Sequence, residues 1–125
     1  MTDLAPFHQQ QCLNLETFRK SGTGVKTPVW FVQEGETLFV RTVANSGKVK
    51  RIRNNTHVKI APCKVDGALL GEWVPALARE LKDEATDRKV NRLLDKKYGL
   101  VKKMFGLVSA LQGRKDIILE IKLGE

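Results

Sequence analysis

No run in this sequence approaches the roughly 20 apolar residues that carry a helix across a bilayer. The opening Met1-Thr-Asp-Leu-Ala-Pro-Phe-His8 has neither the basic start nor the apolar stretch of a secretory signal, so the expected location is cytoplasmic, with no membrane partner. Cysteine is scarce. Cys12 and Cys63 stand far apart with no CxxC spacing, which argues against a structural zinc site and for two free thiols in a reducing compartment. The histidines, His8 and His57, have no neighbouring ligand at metal spacing. Also missing are the GxSxG nucleophile elbow, the GxxxxGK[ST] phosphate loop and the GxGxxG dinucleotide turn. The carboxylates are scattered, so no pair stands ready for acid–base work and no catalytic side chain is assigned. If the chain is an enzyme, the reactive atom belongs to a cofactor.

Acid is absent from one long window. Between residues 37 and 65 there is no Asp or Glu, yet Arg41, Lys48, Lys50, Arg51, Arg53, Lys59 and Lys64 all fall there. The whole chain holds 22 Lys and Arg against 14 Asp and Glu, so the +8 excess is local and the remainder is almost neutral. Such a cluster faces an anion, whether nucleic acid, an acidic membrane or a phosphorylated small molecule. Aromatics make up 6% of the chain, and Phe39 alone falls inside the basic window, which argues against a surface that stacks single-stranded nucleic acid. The 125 residues suffice for one domain, 1–125, with residues 1–10 expected to be a flexible N-terminal segment.

Hydrophobic alternation predicts strands over residues 12–18, 25–33, 37–43, 57–63 and 117–123. Pro28 lies inside the second of these. A proline cannot donate to a ladder, so that strand is an edge, or its backbone faces a ligand. Residues 69–81 are read as a sixth strand, although 76–81 also has helical propensity. Helices are expected over 48–55, with Ser46 as N-cap, over 86–98, stopped by Gly99, and over 100–111. Six strands, one short helix and two longer ones make a mainly β protein, a small antiparallel barrel with helices packed outside it. The two late helices read as core and subunit packing, with Lys96, Lys97, Lys102 and Lys103 solvated.

The most informative stretch is Arg41-Thr-Val-Ala-Asn-Ser-Gly-Lys-Val-Lys-Arg-Ile-Arg53. A strand ends, a turn of small residues follows, and a helix begins. Free N–H groups at a helix start attract an anion, and Gly47 admits one close to the backbone. Lys48 falls in the first turn, and Lys50 and Arg51 are near enough to supplement it. The spacing describes a phosphate site.

Five segments taken in order carry a resemblance: Lys26-Thr-Pro-Val-Trp-Phe31, Thr42-Val-Ala-Asn-Ser-Gly-Lys-Val-Lys-Arg-Ile-Arg53, Val58-Lys-Ile-Ala-Pro-Cys63, Gly71-Glu-Trp-Val-Pro75 and Leu94-Asp-Lys-Lys-Tyr-Gly99. The chain resembles the pyridoxamine 5'-phosphate oxidase-like flavin/deazaflavin split-barrel superfamily, and within it the short coenzyme F-420-dependent oxidoreductases of the same class. The resemblance implies a six-stranded FMN-binding split barrel, a homodimer, and cofactors in clefts between the subunits. It lays the backbone of Lys26, Thr27, Pro28, Val29 and Trp30 along a tricyclic ring, and the ribityl phosphate on Thr42, Ser46, Lys48, Lys50 and Arg51. It places Pro62 and Cys63 near the ring and brings Trp73 over from the partner subunit. The C-terminal Arg and His substrate pair of the true pyridoxamine phosphate oxidases has no counterpart here, which argues against vitamin B6 oxidation.

The expected function is therefore an oxidoreductase that moves hydride between a small organic substrate and its cofactor. Deazaflavin (F-420) is favoured, because its acidic tail suits the extra bases; FMN comes second, and haem or neither cofactor follows. Two other classes stand beside this one. The first is a small barrel that binds nucleic acid; the second is a flavin or haem carrier with the fold and no turnover.

Overall fold

The computed structural model describes residues 4–8, 10–99 and 116–124; the helix expected over 100–111 lies outside them. Strand β1 (Cys12–Phe18) leads into β2 (Gly24–Trp30), β3 (Val32–Glu34) and β4 (Thr37–Val43). Helix α1 (Gly47–Asn54), β5 (His57–Cys63), β6 (Val74–Leu81), α2 (Glu84–Tyr98) and β7 (Asp116–Leu123) complete the order. The strands form one sheet, β2-β1-β5-β6-β7-β4-β3, and each neighbouring pair is antiparallel.

Its two outermost strands, β2 and β3, are consecutive in the chain and separated by Phe31 alone. The sheet must therefore curl until its edges meet at that residue, and a barrel results. Six strands were expected and seven are present among the described residues, because the ladder is interrupted at Phe31. The backbone there turns to α2: Phe31 N–H donates to Tyr98 Oη at 3.0 Å, while Phe31 O accepts from Tyr98 Oη at 2.9 Å and from Lys97 Nζ at 2.7 Å.

Alternation fills the barrel. Leu13 and Leu15 of β1, Leu38 and Val40 of β4, Val58 and Ile60 of β5, Ala76 and Ala78 of β6, and Leu119 and Ile121 of β7 share one buried cluster. Helix α1 closes one end by adding Val49 and Ile52, three residues apart and both buried. A second cluster lies outside, where Val90, Leu94 and Tyr98 of α2 cover Val32, Phe39 and Ile118. At 20–33 cal/mol per Å², each fully buried Leu or Ile in these clusters contributes about 1.5–3 kcal/mol.

The structure revises three expectations about the chain's organisation. Residues 4–8 are not a loose tail: Ala5–Phe7 form a turn of 3-10 helix, Leu4 and Phe7 are buried, and Phe7 meets Phe31 edge-on at 6.3 Å. The sixth expected strand begins at Val74 rather than residue 69, and its helical alternative is not taken. Period two decides it, since Ala76 and Ala78 point inward while Leu77 and Arg79 stay exposed. Helix α2 starts two residues before the expected position because Asp83 caps it, accepting from the N–H groups of Ala85 and Thr86 and from the Thr86 hydroxyl at 2.6 Å. Those bonds, the Thr86 hydroxyl foremost, hold the Asp83 carboxyl below its ordinary range. Asp83→Ala is expected to lower the urea midpoint without changing the slope of the unfolding transition.

Candidate functional site

Among the described residues, strand β2 pairs with β1 along one edge and with no strand along the other, so it is the edge strand that Pro28 predicted. Strand β4 pairs with β3 only as far as Phe39; from Val40 to Val43 its ladder runs with β7 alone. These two half-open edges approach one another without exchanging ladder bonds, and the gap is the split in the barrel. A short turn carries the end of β4 into α1. Arg51 Nε of α1 donates to Thr17 Oγ1 at 2.6 Å, and Thr17 pairs with Val25. The start of α1 and the start of β2 therefore share one end of the split.

At that end three side chains stand out. Ser46 has the extended backbone of an N-cap, but its hydroxyl caps nothing: Oγ is buried without a hydrogen-bond partner among the described residues. Lys48 is half-buried, and its amine sits below its ordinary value, first through burial and second through the positive charge of Arg51. The Arg51 guanidinium folds back over the helix start, so that a Cβ added at Gly47 would lie 2.8 Å from Arg51 Nη1. A bare hydroxyl and two neighbouring cations without a carboxylate make an electrostatically frustrated arrangement. A bound dianion would relieve it.

The wider basic window is less positive in space than in sequence. Arg41 bonds Asp116 at 3.1 Å and lies 3.5 Å from Asp87, with Asn91 also against its Nη1. Arg53 grips Glu80 through two bonds, of 3.1 and 2.8 Å. Among the described residues, Lys48, Lys50, Arg51, Lys59 and Lys64 keep no ion-pair partner.

The remaining candidates divide. Lys26 and Pro28 are exposed on the outer face of β2, while Thr27 and Val29 are half-buried on the other face. Trp73 meets its own chain, with Lys26 Nζ 5.4 Å from the centre of its ring. Trp30 stacks on Tyr98 at 4.4 Å and 7°, against the cluster under α2. Thr42 is buried on the face shared by Leu38 and Val40. Lys50 is exposed. Pro62 and Cys63 belong to β5, which β1 separates from β2 in the sheet.

Sequence reasoning missed four residues. Thr17 holds Arg51. Asn14, across the ladder from Pro28, is buried and has an unpartnered Oδ1. Tyr98 and Lys97 pin Phe31, at the far end of the split. The sequence pattern reads Lys97 as solvated, although Lys96-Lys97-Tyr98-Gly99 falls within one of the segments that carry the resemblance. Its ammonium lies 3.5 Å from the centre of the Phe31 ring, and burial brings the amine down from its ordinary 10.5 to about 8. An amine with a lowered folded value binds fewer protons in the folded state than in the unfolded one between those limits. Folding stability relative to a Lys97→Met variant should therefore rise, not fall, as pH goes from 8 to 10.

The fold is that of the pyridoxamine 5'-phosphate oxidase-like split barrels. A candidate pyridoxamine 5'-phosphate oxidase from Listeria innocua superposes with a TM-score of 0.69 at 18% identity, covering 98% of this chain and 90% of its own. The heme storage protein from Vibrio cholerae gives 0.73 at 16% identity, with coverages of 99% and 92%. An F-420-H2-dependent reductase gives 0.63 at 17% identity, with coverages of 90% and 94%. No protein-family model and no curated protein sequence matches the chain. Among the described residues there is no cluster of three or more His, Cys, Asp or Glu able to hold a metal, and no helix long and apolar enough to cross a membrane.

Proposed function

We propose that this chain binds a phosphorylated flavin-type cofactor in the split between β2 and β4 and works as an oxidoreductase on a small organic substrate. The observation that carries the reading is the buried, unpartnered Ser46 hydroxyl at the start of α1, beside Lys48 and Arg51. Ser46 and the first N–H groups of α1 would receive the phosphate, and Lys48 and Arg51 would neutralise it. The open edge of β2 would offer its backbone to the ring. Pro28 suits this role because it removes one N–H that a neighbouring strand would otherwise seek. When bound, the cofactor would supply the hydride chemistry. Deazaflavin remains the favoured occupant over FMN, with the exposed Lys50 as one base for its acidic tail. The working unit is proposed to be a homodimer in the cytoplasm.

The test is a titration of the protein, followed by tryptophan fluorescence, with deazaflavin, FMN and phosphate-free riboflavin in parallel. The expected result is that FMN binds at least about tenfold more tightly than riboflavin, the value of one charge-assisted contact of ~1.5 kcal/mol or more. Equal affinity for FMN and riboflavin would overturn the phosphate assignment. Haem binding in the absence of any flavin binding would overturn the cofactor class.

A further inference from the structure

Cys12 and Cys63 are far apart in sequence but directly opposed in the β1–β5 ladder, and both thiols are free. Opposed residues of an antiparallel pair have Cα atoms about 4.5–5.5 Å apart. That falls within the ~4.4–6.8 Å a disulfide spans, so the strand register suits the bond. Both side chains are buried, at 2% and 1% exposure, which admits only a small oxidant. Their position nevertheless offers a way in. Cys12 opens β1 next to the exposed Gln11, and Cys63 closes β5 next to the exposed Lys64 and Val65, so fraying at one end of one ladder uncovers both.

The two thiols are not equivalent. Burial raises the Cys12 thiol above its ordinary value and the Lys97 cation offsets part of that rise, whereas Cys63 faces Asp66 and the other thiol, both of which add to the effect of burial. Burial and those neighbours push Cys63 up to about 11. The more ionised thiol attacks first, and the other keeps its proton until the second step.

We propose that Cys12 and Cys63 form a two-electron oxidation site for hydrogen peroxide, with Cys12 attacking and Cys63 resolving. Cys12 releases its proton to solvent, and its sulfur attacks one peroxide oxygen. The O–O bond breaks, leaving a Cys12 sulfenic acid and a hydroxide that takes up the released proton. The Cys63 sulfur then attacks the Cys12 sulfur; the S–S bond forms, the S–O bond breaks, and the departing hydroxide leaves with the Cys63 proton as water. Two thiols and one peroxide become one disulfide and two waters, the sulfurs losing the two electrons that the peroxide gains. This site is independent of the cofactor reading.

The test treats the purified 125-residue chain with hydrogen peroxide and reads intact mass, free thiols after denaturation, and mobility on a non-reducing gel. The expected product has lost two hydrogen masses and both thiols, migrates as a single chain, and reverts with dithiothreitol. In Cys63→Ser the sulfenic acid accumulates and is trapped at Cys12 by dimedone, more slowly when Lys97→Met is added. In Cys12→Ser little is trapped over the same time. A wild-type product that gains oxygen without losing two hydrogens, or a disulfide between two chains, overturns the site. Equal trapping in the two single variants overturns the assignment of roles.

Discussion

Tyr98→Phe is expected to destabilise the protein by about 2 kcal/mol while leaving the stack on Trp30 in place. The phenol oxygen accepts from Phe31 N–H at 3.0 Å and sits 2.9 Å from Phe31 O and 2.6 Å from Gln11 O. Phe31 is 1% exposed, so water cannot replace the phenol at its N–H, and an orphaned buried donor costs roughly 1–3 kcal/mol. Phe31 O retains Lys97, and the exposed Gln11 gains water, so most of the loss falls on one group. Urea unfolding measures the total. Amide exchange localises it, with Phe31 losing more protection than the interior of β5. A loss spread evenly over the sheet would mean that the phenol acts only through packing.

Lys48→Glu is expected to weaken binding of FMN or deazaflavin at least about hundredfold while leaving folding stability unchanged or slightly raised. A charge-assisted hydrogen bond is worth ~1.5–3 kcal/mol, or roughly one to two decades of affinity, and reversing the charge adds repulsion of the phosphate. The effect on stability runs the other way because the Lys48 cation stands half-buried beside Arg51, without a carboxylate among the described residues. A residue kept for the fold would behave otherwise; losing binding without losing stability is the mark of a binding residue. The pH dependence follows in sign. A bound anion favours the Lys48 cation, so affinity should fall as pH rises through the lowered folded value, and binding below that point should draw little proton uptake. Calorimetry in two buffers of different ionisation enthalpy reads the uptake directly.

Much of the barrel was legible because it rests on local pattern. The alternation in β1, β4, β5 and β7, the small-residue turn before α1 and the proline in β2 each report on a few neighbouring residues. The features that escaped depend on partners distant in the chain. The interruption at Phe31 comes from Tyr98, 67 positions away. Arg41 reads as a free base in the window, but Asp116, 75 positions later, neutralises it. Trp30 and Trp73 could be placed on their segments, but what each ring touches is decided by α2 and by Lys26. The proposed phosphate end was legible as a cluster for a related reason: Ser46, Gly47, Lys48 and Arg51 lie within one turn and one helix. What the spacing alone did not reveal is the unsatisfied hydroxyl among them.

A sheet whose two edges belong to one bent strand has little left for another molecule to extend. Strand β3 is only three residues long, Val32–Glu34, which is too short a template for a neighbouring chain to grip. The long free edge belongs to β2, where the exposed Lys26 and Pro28 interrupt any incoming ladder with a charge and a missing donor. The proline that leaves this edge open to a ligand thus also guards it against strand-by-strand aggregation. On the proposed reading, resistance to strand-by-strand aggregation and cofactor recognition rest on one residue, so relaxing one would put the other at risk.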